Sequence, residues 1–196
     1  MQKFIPEAGT SGELRLILSP AWVETEDVFA DSRLSWKGKT LIIEWNVKEP
    51  QLRRMCTHAN DEVWTDSCVE IFLKRPDESE YRNFEFSAAG YALVGHGSSR
   101  KGRELYSEAT VASIPIKVTL LENTTKESVW KLHAEIDLQT FGLLQEGEEL
   151  KGKTLEGNIY NCGDGLAVPH FLTYAPIDTL RPDFHQPSFF VPFTFA

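Results

Sequence analysis

A tryptophan followed six residues later by a glutamate is the pair of side chains in this chain best suited to hold a ligand. The segment reads Trp64-Thr65-Asp66-Ser67-Cys68-Val69-Glu70-Ile71-Phe72-Leu73. Because side chains alternate faces along an extended strand, the even spacing predicts that Trp64 and Glu70 share a face, with an apolar row on the other. An aromatic ring can cover the apolar face of a pyranose and a carboxylate can accept hydroxyl protons, so the pattern favours a sugar site.

Period-two patterns of apolar residues predict β-strands along most of the chain. The predicted strands cover residues 41–47, 68–74, 83–88, 111–121, 130–138, 157–162 and 189–195. Pro192 favours an edge position for the last of them, because proline has no amide proton for a ladder. The helical signal is weak, and a turn or two near Asp137–Leu144 is the best helical candidate. Short strands separated by Gly, Pro and Asn predict an all-β, single-domain β-sandwich over residues 1–196.

Three predicted loops, residues 49–63, 95–108 and 163–187, are longer than most connections in compact proteins. Loops of that length tend to carry function, so we expect them to contribute to the site. Within the last loop, Gly163-Asp164-Gly165 predicts a tight turn.

The composition disfavours two classes of binding partner. The 196 residues carry a net charge of −9 with no basic run. Binding to nucleic acid or to an anionic membrane is therefore disfavoured, whereas neutral ligands are not penalised. The N-terminal residues 1–20 show no signal-peptide pattern, and no stretch approaches the roughly 20 apolar residues of a membrane span.

The cysteines and histidines give no metal motif. Cys56, Cys68 and Cys162 are odd in number and widely spaced, which fits neither a disulfide framework nor a zinc site. We expect free thiols that pack as small hydrophobic side chains. His170 and His185 are flanked by aromatic residues and prolines, and their spacing matches no metal site, so a structural hydrogen-bonding role is favoured.

No arrangement of residues predicts catalysis. Asp66 and Glu70 would lie about 13 Å apart on a straight strand, beyond the separation of glycosidase carboxylate pairs. No nucleophile elbow, phosphate loop or dinucleotide fingerprint occurs.

Several segments, in the same order over roughly residues 30–195, resemble the family 9 group of carbohydrate-binding modules. The segments include Val47-Lys48-Glu49-Pro50, Asp66-Ser67-Cys68-Val69-Glu70-Ile71-Phe72, Asn83-Phe84-Glu85-Phe86, Gly95-His96-Gly97-Ser98-Ser99-Arg100, Asn158-Ile159-Tyr160-Asn161-Cys162-Gly163-Asp164, Pro169-His170-Phe171-Leu172-Thr173-Tyr174-Ala175-Pro176-Ile177 and Pro182-Asp183-Phe184-His185-Gln186-Pro187-Ser188-Phe189-Phe190. These modules accompany xylanases and other glycoside hydrolases. The resemblance implies a jelly-roll-like sandwich with long functional loops.

The resemblance also implies a non-catalytic pocket in which two aromatic rings clamp a terminal sugar. Trp64 would be the first ring, and Tyr174 occupies the position where the family usually has tryptophan. The carboxylate would be Glu70, and Asn158 is the nearest match to the amide that the family offers to the sugar. The family's arginine would come from Arg100 or Arg103. No cofactor is implied, although such modules often carry a structural calcium ion, and their usual setting is exported or periplasmic.

We therefore predict binding of a terminal sugar of a plant-type oligosaccharide or polysaccharide, without chemical change. Two alternatives stay open at this point. The chain could be an enzyme domain associated with glycoside hydrolysis. It could also be a protein-interaction or haem-type sandwich with no sugar site, although the sequence offers only Met1 and Met55 as methionine ligands.

Overall fold

Alternating apolar side chains build two β-sheets in the computed structural model, which describes residues 2–196. Fourteen strands occur within that range. They are β1 Lys3–Ile5, β2 Leu14–Ile17, β3 Ser19–Pro20, β4 Phe29–Lys37, β5 Thr40–Glu49, β6 Cys68–Lys74, β7 Tyr81–Ser87, β8 Ala92–Gly97, β9 Glu104–Leu105, β10 Ile116–Asn123, β11 Ser128–Asp137, β12 Thr154–Cys162, β13 Phe171–Thr173 and β14 Val191–Phe195.

The larger sheet has the order β1-β14-β12-β6-β7-β8-β9, and β13, which itself pairs with β3, adds to β12. The smaller sheet has the order β10-β11-β5-β4-β2. All neighbours along these two orders are antiparallel except β1 and β14, which run parallel. The all-β, single-domain sandwich predicted from the sequence is confirmed.

The core lies between the two sheets and follows the period of two. Ile43 and Trp45 of β5 point inward, and Ile71 of β6 and Phe84 of β7 meet them from the larger sheet, all fully buried. The adjacent residues in each strand face outward. The outer face of the larger sheet is therefore built from the residues that alternate with this core, and it positions the site described below.

A second, smaller apolar cluster lies on that outer face. Its buried members are Cys56, Val63, Cys68, Phe72, Tyr81, Leu93, Tyr160, Cys162 and Phe184. Sheet faces of sandwiches usually meet solvent on the outside, so a buried outer cluster shows that the loops cover this face.

Two local predictions were wrong. The predicted helix near Asp137–Leu144 is a series of turns, although the Asp137 carboxylate does accept hydrogen bonds from the amides of Gln139 and Thr140. The helix instead spans Glu108–Ala112, with Ser107 as its N-cap. Strand β10 consequently begins at Ile116, later than the apolar pattern indicated.

The edge position predicted for the last strand was also wrong. Strand β14 lies between β12 and β1. Strand β1 pairs only with the stretch from Phe193 to Phe195, so Pro192 lies just outside that pairing. The proline is tolerated because the sheet is locally open beside it.

No helix within residues 2–196 has the length and apolar character needed to cross a bilayer.

Candidate functional site

A cavity of about 440 Å³ opens on the outer face of the larger sheet. This volume lies within the range of small-molecule sites. Glu70 of β6, Glu85 of β7 and Cys162 of β12 form its floor, and the loops around them form its walls. The wall residues are Trp64, Arg100, Lys101, Arg103, Asp164, Phe171, Pro182, Asp183, Phe184 and His185.

Trp64 reaches the cavity from a 3₁₀ turn, Val63–Thr65, and not from a strand. Strand β6 begins only at Cys68, so the face alternation used to pair Trp64 with Glu70 does not extend that far. The two side chains nevertheless line the same cavity. Val63 is fully buried and anchors the turn, while the tryptophan ring is half-buried and contacts the outer cluster.

Asp66 fixes the end of the Trp64 turn. Its fully buried carboxylate accepts hydrogen bonds from the Met55 and Cys56 amides and the Ser87 hydroxyl, and it pairs with Arg53 at 2.7 Å. Burial alone would raise the pKa of Asp66, but these hydrogen bonds outweigh it and lower the pKa. Asp66 is therefore a structural anion that holds the loop, separate from the cavity.

The predicted Gly163-Asp164-Gly165 turn packs directly against the Trp64 turn. The amide of Asp164 donates to the carbonyl of Trp64, and the amide of Gly165 donates to the carbonyl of Thr65, both at 3.1 Å. A Cβ at Gly165 would lie 2.4 Å from that Thr65 carbonyl oxygen, so only glycine permits this approach. The two turns brace each other beside the cavity.

The cavity floor contains two buried carboxyl groups side by side. Glu70 and Glu85 are register partners on β6 and β7, and each is about 3% exposed. Burial raises the pKa of Glu70 well above its usual range, and the charge of Glu85 raises it further. Burial also raises the pKa of Glu85, but the Arg103 guanidinium at 3.2 Å and the Asn83 amide at 2.9 Å favour its charged form. The protonated form is therefore favoured more strongly at Glu70 than at Glu85.

The two predicted arginines belong to the loop between β8 and β9. Arg103 forms the ion pair with Glu85 just described, and its side chain is only 15% exposed. Arg100 lies at the rim and is exposed. Their positive charges also act on His185, whose pKa falls to about 3, mainly through burial. His185 is consequently neutral, and its Nδ1 lies 2.7 Å from the hydroxyl of Tyr81.

Asn158 lies away from the cavity, which corrects the role predicted for it. Its amide nitrogen donates to the Thr173 hydroxyl and the Ala175 carbonyl, and its amide oxygen accepts from the amides of Ala175 and Ile159. The side chain is fully buried and its hydrogen-bonding capacity is used. Asn158 therefore ties the chain after β13 to β12 and has no capacity left for a ligand.

Tyr174 does not face Trp64, so the predicted clamp between these two rings was wrong. The Tyr174 ring packs on the main core 6.3 Å from that of Phe193, and the Lys3 ammonium lies 5.7 Å from its centroid. The reason is strand parity, because Leu172 of β13 is buried in the main core and Tyr174 follows it by two residues.

The ring that this segment supplies to the cavity is Phe171. It is half-buried and belongs to an aromatic group with Trp22 and Phe184, at centroid distances of 6.1 Å to each. Phe184 stacks in turn on Tyr160 at 4.2 Å. Sequence reasoning missed Phe171 and Glu85. The same alternation that predicts inward positions for Phe84 and Phe86 predicts an outward position for Glu85, so it could have identified Glu85.

The chain matches the family model described as Carbohydrate-binding family 9 over residues 22–195. A comparison with curated protein sequences found no match. Among solved structures, a "putative carbohydrate-binding protein" from Bacteroides uniformis ATCC 8492 is similar, with 26% identity, a TM-score of 0.87 and coverage of 100% of this chain and 99% of that one.

Two structures of a carbohydrate-binding module family 9 from Caldicellulosiruptor kristjanssonii share the fold. The complex with cellotriose has 10% identity, a TM-score of 0.62 and coverage of 100% and 93% of the two chains. The complex with glucose has 12% identity, a TM-score of 0.59 and coverage of 100% and 96%. Because the family model covers most of the sequence, the chain belongs to carbohydrate-binding family 9.

Proposed function

We propose that this protein binds the terminal sugar of an oligosaccharide in the outer-face cavity, without transforming it. The observation that carries the proposal is the meeting of Trp64, two buried carboxyl groups and an arginine in one cavity of about 440 Å³, in a member of carbohydrate-binding family 9. Flat rings and clustered hydrogen-bonding groups are the two features that a pyranose needs from a protein.

In this proposal Trp64 covers the apolar face of the sugar, and Phe171 forms part of the opposite apolar wall. Glu70, as a protonated acid, can both donate to and accept from hydroxyl groups. Ionised Glu85 accepts, and Arg103 and Arg100 donate. Most of these polar groups are held by the sheet or by ion pairs before any ligand arrives, so little ordering cost remains for binding.

A terminal unit is favoured because the cavity is bounded by four loops around a floor of three adjacent strands. Structures of the same fold contain cellotriose and glucose. Plant-type β-linked oligosaccharides are therefore the first ligands to test. Stacking and hydrogen bonds at a partly wet site should give micromolar affinity, about −8 kcal/mol.

Titration calorimetry with cellotriose, xylotriose and glucose tests this proposal. We expect heat of binding for the wild type and none for Trp64→Ala, with a small change in melting temperature because the ring is half-buried. Tyr91→Ala is the matched control, since that ring is 37% exposed and lies outside the cavity lining. Equal heats for both variants would contradict the proposal.

Glycoside hydrolysis is the second candidate, because one observation favours it. Facing register partners bring Cβ atoms within about 5.5 Å, and a neutral acid beside an ionised carboxylate is the pairing that retaining glycosidases use. However, Glu70 and Glu85 both rise from the same sheet floor, whereas glycosidase carboxylates flank the scissile bond. Chromatography of cellotriose after long incubation with the protein distinguishes the two functions, since only an enzyme releases glucose.

A further inference from the structure

Cys68, Cys162 and Glu70 form a cluster of three potential metal ligands in the cavity floor. Cys68 and Cys162 are register partners on β6 and β12, and Glu70 lies two residues after Cys68 on the same outer face. The Cys162 thiol lies 3.1 Å from Oε1 of Glu70, and the Cys68 thiol lies 3.9 Å from the same oxygen. All three donor atoms lie within 4.8 Å of one another.

These separations match the edges of a zinc tetrahedron. Bonds of about 2.3 Å to sulfur and about 2.0 Å to oxygen at tetrahedral angles place the ligand sulfur and oxygen atoms about 3.5 Å apart. The two observed sulfur–oxygen distances bracket that value. Small side-chain rotations would therefore be enough to close the three donors around one ion.

We propose that Cys68, Cys162 and Glu70 bind a thiophilic divalent cation of the zinc class. Two thiolates with one carboxylate select zinc over calcium, because calcium prefers oxygen ligands. Binding releases three protons, one from each thiol and one from the Glu70 carboxyl, which then coordinates as the carboxylate. Since Cys162 and Glu70 both line the cavity, the fourth coordination position faces the cavity and is available to water.

The proposed metal site does not depend on the sugar proposal.

Two charged groups lie beside the cluster in the same cavity. They are Glu85 and Arg103, which are paired at 3.2 Å and carry charges of opposite sign. The bound unit of one dication, two thiolates and one carboxylate carries a single negative charge. Arg103, the nearest cation to this floor, would partly offset that charge.

Cadmium titration of the reduced, metal-free protein tests the proposal, because cadmium–thiolate bonds absorb in the near ultraviolet. We expect saturation at one ion per chain, release of three protons per ion, and displacement of cadmium by zinc. Cys68→Ser and Cys162→Ser should each weaken or abolish the absorption. Cys56→Ser should leave it unchanged, because Cys56 is a buried thiol in a different part of the outer cluster.

Three results would overturn the proposal: no thiolate absorption in the wild type, absorption that survives in the Cys68→Ser/Cys162→Ser double variant, or a count of one free thiol in unfolded protein purified without reductant. The third result would mean that a disulfide has consumed two of the three thiols, so that at least one of Cys68 and Cys162 is not free. Thermal melts of each variant without metal establish that the variants fold. Glu70→Gln removes the third proposed ligand while both thiols stay intact. Sugar titrations in the presence of a chelator keep the two proposals separate, since binding by metal-free protein leaves the sugar proposal standing whatever the cadmium result.

Discussion

The outer faces of the two sheets show similar side chains in opposite surroundings. On the larger sheet, Glu70 faces Glu85 across neighbouring strands, and both are buried. On the smaller sheet, Glu44 faces His133 in the same way, with their side chains 56% and 33% exposed and 3.3 Å apart. Strand alternation produces both pairs. Loops cover the pair on the larger sheet and leave the pair on the smaller sheet accessible to solvent, so burial is what distinguishes the two pairs.

The largest expected contrast between the two faces is in stability. Glu85→Ala leaves the largely buried Arg103 without its partner, so we expect the free energy of unfolding to fall by about 3 kcal/mol. Glu44→Ala removes only an exposed contact and should change it by less than about 0.5 kcal/mol. Urea denaturation of both variants measures the difference. Equal losses would mean that the roofing loops do not bury the Glu85–Arg103 pair.

A smaller contrast concerns the two aromatic residues of the segment around β13. We expect Phe171→Ala to weaken sugar binding about tenfold, or about 1.4 kcal/mol, because it removes an apolar wall of the cavity. Tyr174→Ala should lower the melting temperature and leave the dissociation constant unchanged, because its ring covers the main core. Calorimetry and thermal melts of the two variants check this. The reverse assignment, with Tyr174 controlling affinity, would restore the clamp predicted from the sequence.

The smallest expected effect is a difference in pH dependence. Burial raises the folded-state pKa of Glu70 above its ordinary value of 4.5, so the folded protein keeps a proton that the unfolded chain releases. Wild-type stability is therefore lost as pH rises from about 4.5 through the folded-state pKa. Glu70→Gln lacks this loss and should gain stability relative to wild type over that window. A curve for Glu70→Gln that runs parallel to the wild-type curve would show that Glu70 is ionised when folded.

Local patterns predicted the fold class and seven of the fourteen strands described within residues 2–196. The strand at residues 68–74 and the inward faces of β5 and β7 follow from alternation alone, which each strand carries in its own sequence. Many such strands, each with an apolar face to bury, then form two sheets that pack face to face. The helix Glu108–Ala112 was missed because its five residues bury only Val111 and show no helical period.

The site was predicted in part, because its composition depends on which strands become neighbours. The structure brings Trp64, Glu70, Arg100 and Arg103 together at one cavity, and their role in sugar binding stays a prediction. The adjacency of Cys68 to Cys162 follows from the register of β6 with β12, which no local pattern specifies. The prediction for Tyr174 was wrong because the face of the sheet toward which its side chain points depends on the residue at which strand β13 begins.

The indole N–H signals of the protein offer the most direct test of the central claim that Trp64 contacts the sugar. Trp64 lies at the cavity, whereas Trp36, Trp45 and Trp130 are buried in the main core. In a ¹⁵N-labelled sample titrated with cellotriose, we expect a saturating shift of the Trp64 indole signal and little change in the three core signals. A Trp64 signal that stays fixed while cellotriose binding saturates would contradict it.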